Sequence, residues 1–438
     1  MASIAINRLG EVGRAARRSL RAYRVFTRVR LPQVLRPTAV SDMRPADGGI
    51  AWGSWGGYDG DQPTAGGGWV TSGIGEKSQL ASRLGQRGGT SRRPRRLRVP
   101  PTLFSVALGL AGLATAWHAA GAKLGTPAAV PYAIDILAAV ALVTLVGLYA
   151  AQGLRQVVAD VRDPVQAPYM AVPFITAMML AAALASQSFA AGRALVVIFL
   201  AVTIAVGGWL TGQWISRDAD EPLVYPGYYL PTVAGGLVGA ITLAQVHLHA
   251  LAEVSFGLGV ASWLLLGSVV LNRMITARRL PAALRPTMAI ELAPPALAGV
   301  GWFALGGGGT NVIAYAIAGY AVLMALVQIR LFPVYFRLRF APGFWAFTFS
   351  YAIAITYALE WITRTNPSGA TGYAIAAITA ITLLIAAIAA RTAVAASRGQ
   401  FLPAAADAAD NWRTPVPREP QDAQRGQDRG TAEWIERR

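Results

Sequence analysis

The sequence predicts an all-α membrane protein: ten transmembrane helices paired as five helical hairpins, with odd-numbered helices in an inner ring around a central pore and even-numbered ones in an outer ring. Three observations carry this. Hydrophobic residues make up 54% of the 438 and charged residues only 14%, far from the balance of a soluble domain. From Pro100 onward ten apolar runs follow one another, each near the roughly 20 residues a helix needs to cross a hydrocarbon layer. Arginines gather in alternate loops between those runs, and prolines in alternate runs.

The formal net charge is +17. Its arginines cluster in the first 98 residues, in the tail and in short loops, not on any motif that reads nucleic acid, so no nucleic-acid partner is expected. With no cysteine, disulfides, thiolate metal sites and cysteine nucleophiles are excluded.

Residues 1–98 hold no long apolar run. Their Gly-rich stretch and the basic "SRRPRRLR" have a composition that cannot bury a core, which predicts a mostly disordered cytoplasmic region. Within it, "INRLGEVGRAARRSLRAYRVFTRVRL" puts Leu9, Val12, Ala16, Leu20 and Tyr23 at helical spacing among arginines, which fits either a helix lying on an anionic membrane surface or a solvated tail. The ten runs fall near 101–120, 131–152, 169–187, 192–215, 226–247, 254–274, 286–305, 311–331, 342–361 and 369–391, giving a membrane domain over 99–392 and a disordered tail over 393–438. Loops after the second, fourth, sixth and eighth runs carry Arg155, Arg162, Arg217, Arg273, Arg278, Arg279, Arg285, Arg330, Arg337 and Arg339, whereas the opposite loops carry little beyond Lys123, Arg193 and Arg364. The positive-inside rule then places both termini in the cytoplasm of a multi-pass plasma-membrane protein.

Even-numbered runs such as "ILAAVALVTLVGLYAA" are aliphatic without internal proline, as lipid-facing helices should be. Odd-numbered ones carry Pro173, Pro231, and Pro294 with Pro295, which should kink them and call for protein or water partners inside the fold. The first run aligns Ser105, Gly109, Gly112 and Ala116 on one face, the fifth aligns Thr232, Gly235, Gly239 and Thr242, and in the third Pro173 and Ala177 lie one turn apart. Such faces read either as close helix packing, with Gly235 and Gly239 a GxxxG pair, or as the lining of a narrow axis to which Pro294 also contributes.

Four segments resemble a known family. "DVRDPVQAPYMAVPF", "PGYYLPTVAGGLVGA", "LPAALRPTMAIELAPPALAGVGWF" and "RLFPVYFRLRFAPGFWAFTFSYA" are similar to segments of the tellurite-resistance and C4-dicarboxylate transporter family, which also holds the slow anion channel of plant guard cells and fungal dicarboxylate and sulfite transporters. The resemblance runs from about 98 to 392. It implies ten helices in five hairpins around one pore per protomer, a homotrimer, and an anion path lined by the odd-numbered helices and plugged by a phenylalanine on the ninth. In "FWAFTF" that residue is Phe349. The implied activity is an anion channel for a small inorganic or organic anion, without cofactor or metal and not an enzyme, embedded in membrane lipid; the alternative is a proton-coupled exporter of a dicarboxylate, sulfite or tellurite-like oxyanion.

Spacing on the ninth run agrees: Ala346, Phe349, Ala352 and Thr356 share one face, so Phe349 is the only large ring on a face of small residues. Phe344, Phe347, Tyr351 and Ile355 share another and should pack against neighbouring helices, with Trp345 as an interfacial anchor. Glu291 stands where one relative has an uncharged amide; a carboxylate at that depth is costly and is a candidate proton or charge site. The other reading pairs it with Arg285 or another loop arginine at the cytoplasmic mouth. His118, His247 and His249 sit at run ends without metal spacing, and Asp135 reads as structural.

Overall fold

The computed structural model describes residues 98–216, 223–306, 309–399 and 401. These belong to one compact unit that starts at Thr90. The readings of the N-terminal region before Arg98, of Arg217, and of the tail beyond Phe401, including the side on which the termini lie, fall outside the described residues.

Eleven α-helices are present among the described residues: α1 (Ser105–Leu124), α2 (Ala129–Ala150), α3 (Leu154–Arg162), α4 (Val172–Leu184), α5 (Phe189–Ile215), α6 (Gly235–Gln245), α7 (His249–Thr276), α8 (Ala293–Ala304), α9 (Val312–Tyr335), α10 (Ala346–Thr365) and α11 (Ala370–Ser397). Five of them share a way of starting. A 3₁₀ stretch leads into α1 (Pro101–Phe104), α4 (Ala167–Ala171), α8 (Arg285–Leu292) and α10 (Pro342–Trp345), and a 3₁₀ turn followed by a π turn (Pro226–Tyr228, Leu230–Ala234) leads into α6. Each stretch has a proline at its first or second position: Pro101, Pro168, Pro226, Pro286 and Pro342. Proline suits that place because its fixed φ is helical and the N–H it lacks would have no partner in a first turn.

This corrects the expectation of proline kinks. Pro173 and Pro294 lie in the first turn of α4 and α8, and Pro231 lies in the π turn before α6, so none interrupts an established α-helical ladder. The proline that does lie inside a helix is Pro333, near the end of α9.

The count of ten spanning helices in five hairpins is also corrected. Among the described residues eight helical segments are long and apolar enough to cross a membrane: Pro101–Leu124, Ala129–Ala150, Ala167–Leu184, Phe189–Ile215, Pro226–Gln245, His249–Thr276, Val312–Tyr335 and Ala370–Ser397. The seventh run, helical over Arg285–Ala304 once its 3₁₀ stretch is included, is long enough, but Arg285, Glu291 and the prolines Pro286, Pro294 and Pro295 dilute its apolar content. The ninth is long enough, but tyrosine, tryptophan, threonine and serine along α10, with Glu360 and Arg364 at its end, dilute its apolar content. A ring of five inner and five outer helices does not follow from eight spans.

Burial differs sharply among the spans. In Pro226–Gln245, 94% of the central window is buried, against 17% in Ala129–Ala150. Helices such as α2, α7 and α9 turn Val143, Leu265 and Val322 outward, the apolar coat that hydrocarbon requires. Inside, α6 and α7 meet where a Cβ on Gly236 would stand 2.7 Å from the Gly259 amide nitrogen, so the two backbones touch in the manner of a small-residue helix contact.

The start of the fold is clamped. Asp160 on α3, fully buried, accepts from Arg98 at 2.5 Å, the Tyr149 hydroxyl at 3.0 Å and Gln156 at 2.9 Å. Gln152 accepts from the Val99 N–H and donates to its carbonyl.

Candidate functional site

A narrow cavity of about 20 Å³ lies among the first turns of the Pro-led segments, enough for roughly one water. Its lining includes Ser105, Tyr169, Tyr229, Pro294, Ala346 and Phe349, one or more residues from each of the first, third, fifth, seventh and ninth runs. The 3₁₀ lead-ins explain this convergence, because every lining residue lies in a lead-in or in the first turns after it.

Phe349 sits at the edge of this space, 5% exposed. A Cβ built on Gly112 would come within 2.9 Å of its ring and 3.3 Å of the Ala352 methyl, so α1 has no side chain where the ring rests. α1 also borders a second chamber, of about 390 Å³, lined by Ala111, Thr115 and His118 together with Tyr132, Ser186 and His247. Ser105 and Leu108 border the first cavity and Thr115 and His118 the second. The Phe349–Gly112 contact thus lies at the border of the two, one residue past Ala111, where the lining of the larger chamber begins. Among the described residues no lysine or arginine lines either space; Asp135 borders the larger one and is held by His118 at 3.0 Å.

The two faces of α10 are distinct. Phe347 packs edge-on against Tyr335 with ring centroids 4.8 Å apart, and touches Phe344 and Tyr351 at 5.6 and 5.8 Å. Phe349 belongs to a different buried cluster.

The remaining small residues are scattered. Gly109 faces the Thr348 hydroxyl, Gly235 the Thr203 methyl, and Gly239 Ser255 and Leu200; these are contacts between helices. Thr232 lies beside Gly207 with its hydroxyl buried and unpartnered. Ala177 lines a separate apolar groove between α2 and α4, Pro173 is half-buried in the first turn of α4, and the Thr356 hydroxyl donates to the Ala352 carbonyl.

Glu291 is 6% exposed and accepts from the Tyr229 hydroxyl at 3.2 Å on each carboxylate oxygen. It does not line the cavity; Tyr229 does. Among the described residues Glu291 forms no ion pair with Arg285, whose Nε–H donates to the Leu280 carbonyl. Trp345 is likewise not at an interface: it is buried, donates to Thr392 at 3.0 Å and lines the narrow cavity.

Sequence reasoning missed Tyr229 and Gln328. Gln328 is buried in α9, donates to the Met288 carbonyl and accepts from the hydroxyls of Tyr335 and Tyr351. A glutamine in an otherwise apolar run was the available signal.

The SLAC1 family, described as "Voltage-dependent anion channel", matches residues 98–393. A tellurite resistance protein TehA homolog from Haemophilus influenzae is 26% identical over 262 residues, covering 58% of this chain and 78% of the relative. The guard cell S-type anion channel SLAC1 of Arabidopsis thaliana is 23% identical over 282 residues, covering 60% of this chain and 50% of the relative, and the S-type anion channel SLAH3 of the same plant is 24% identical over 272 residues, covering 58% and 41%. The matched segment spans about half or less of these two plant channels.

Proposed function

The chain belongs to the SLAC1 family of voltage-dependent anion channels, and from that premise we propose that it passes small anions along α1, through a path that Phe349 closes. The observation that carries the reading is the Phe349 ring resting on Gly112 at the border of two cavities. A phenyl ring at the narrowest point leaves no room for a hydrated ion and raises the desolvation barrier there. With no fixed cation among the described residues of either lining, selection among anions follows ease of dehydration. Ser105, Gly112, Pro294, Ala346 and Phe349 form the lining of the closed state in this reading. Ala352 and Thr356 continue it on α10, whereas Gly109, Gly235 and Gly239 serve packing.

Purified protein in a voltage-clamped planar bilayer tests this. The native chain should carry little current in symmetric chloride and Phe349→Ala a large one. Absence of current in both, at matched incorporation, would remove the channel reading.

Proton-coupled export of a small acid or oxyanion is the second reading, and the buried Glu291–Tyr229 pair beside the cavity favours it. Flux driven by a pH gradient without measurable conductance supports it. The homotrimer and the cytoplasmic termini belong to the same proposal; mass analysis of the detergent-solubilised protein and protease access from either side of oriented vesicles check them.

A further inference from the structure

The larger chamber has an unusual residue at its rim. α6 ends in a Schellman turn: the Leu248 N–H donates to the Leu243 carbonyl at 2.9 Å and the His247 N–H to the Ala244 carbonyl at 3.1 Å. The residue at that turn adopts left-handed backbone, a place usually given to glycine. Here it is His247, with φ of 59°. A non-glycine side chain in this conformation is strained and is kept where the side chain has a use. His247 lines the chamber beside Gln245 of the same turn, and its ring lies 5.6 Å from that of Phe189. The second histidine of the lining, His118, is already engaged by Asp135, which leaves His247 and Gln245 as the N–H donors facing the space from α6.

We propose that the 390 Å³ chamber is an anion-capture site in which His247, aided by Gln245, receives a small monovalent anion before it meets Phe349. The inference rests on the proposed path. An imidazole donates an N–H to an anion in either protonation state, and the chamber is wide enough for the anion to keep part of its hydration shell. Asp135, the carboxylate in the lining, is engaged by the His118 imidazole at 3.0 Å.

His247→Gly separates this role from folding, because glycine relieves the left-handed strain while removing the donor. Nitrate-dependent thermal stabilisation of the full chain in detergent, with sulfate at equal ionic strength as the control, reads binding without requiring transport. The nitrate concentration for half the effect should rise about tenfold in His247→Gly, the size of one lost hydrogen bond to a charged group. The midpoint without nitrate should stay equal or increase. His247→Asn, which tolerates left-handed backbone and keeps a donor, should restore most of the nitrate response. An unchanged nitrate response in His247→Gly overturns the proposal, and so does a lowered midpoint without nitrate, which would make His247 structural. Currents in the Phe349→Ala background then separate the two ideas. If Phe349→Ala conducts, His247→Gly should raise the half-saturating chloride from one side of the bilayer only. If Phe349→Ala is silent while nitrate still stabilises through His247, the path fails and the capture site stands.

Discussion

On α10, residues two positions apart do different work. Phe347 sits in an aromatic cluster with Tyr335, Phe344 and Tyr351, so Phe347→Ala should cost stability, about 3 kcal/mol or more for a buried ring, with little gain in current. Phe349 rests against a glycine at the edge of an existing cavity. Phe349→Ala should therefore raise anion current strongly while costing less stability than Phe347→Ala; thermal aggregation in detergent and bilayer recording at matched expression compare the pair. If Phe347→Ala opens the conductance and Phe349→Ala only destabilises, the two faces have been exchanged. Glu291→Gln keeps an acceptor for the Tyr229 hydroxyl, so the fold should survive. Loss of the response of flux to a pH gradient, with counterflow exchange spared, would assign Glu291 the coupling proton, whereas unaltered coupling would remove that role. The separation of faces on α10 was legible because a helix assigns faces by spacing alone. The partner of Glu291 was not, because Tyr229 is 62 residues away and only tertiary packing brings the two together.

At the scale of elements, a stripe of small residues is ambiguous from sequence, since it states that something comes close and not what. Gly112 meets a phenyl ring, Gly235 a threonine methyl and Gly236 the backbone of Gly259. These neighbours set the consequences of adding a methyl group. Gly236→Ala would put a Cβ 2.7 Å from backbone that cannot rotate away, so α6 and α7 must separate, at about 1–3 kcal/mol or more. It should appear as a lower aggregation temperature. Gly112→Ala meets side chains before backbone, the Phe349 ring at 2.9 Å and the Ala352 methyl at 3.3 Å; it should fold and instead shift Phe349, changing current more than stability. Equal loss of stability in both variants would show that the ring of Phe349 is as immovable as backbone. The prolines carried a legible signal that was read in the wrong place. Pro101, Pro168, Pro226, Pro286 and Pro342 recur at the starts of five runs and mark 3₁₀ lead-ins, whereas attention to Pro173, Pro231 and Pro294 suggested kinks. The seventh run also carries Arg285 and Glu291 in its lead-in, which lowers its apolar content and is one reason a count of apolar runs exceeded the count of spanning helices.

For the whole molecule, the question is where the autonomous unit begins. Composition predicts a boundary near residue 98, where the family match also starts, and the first described residues are tied into the fold. Arg98 is the partner of the fully buried Asp160, and both backbone groups of Val99 are tied to Gln152. A chain lacking residues 2–90 retains this clamp and should fold with unchanged oligomeric state and unchanged current in the Phe349→Ala background. Removing residues 2–99 takes away Arg98 and leaves the Asp160 carboxylate with only the neutral donors Tyr149 and Gln156. Breaking a buried pair on one side typically costs about 3–5 kcal/mol, so this chain should aggregate at a clearly lower temperature. Asp160→Asn in the shorter chain removes the stranded charge while preserving shape, and should recover part of the loss. If the two deletions are equally stable, the clamp is not what starts the fold. If the 2–90 deletion alone abolishes assembly or current, the basic N-terminal region is part of the working molecule and the boundary at Arg98 is wrong.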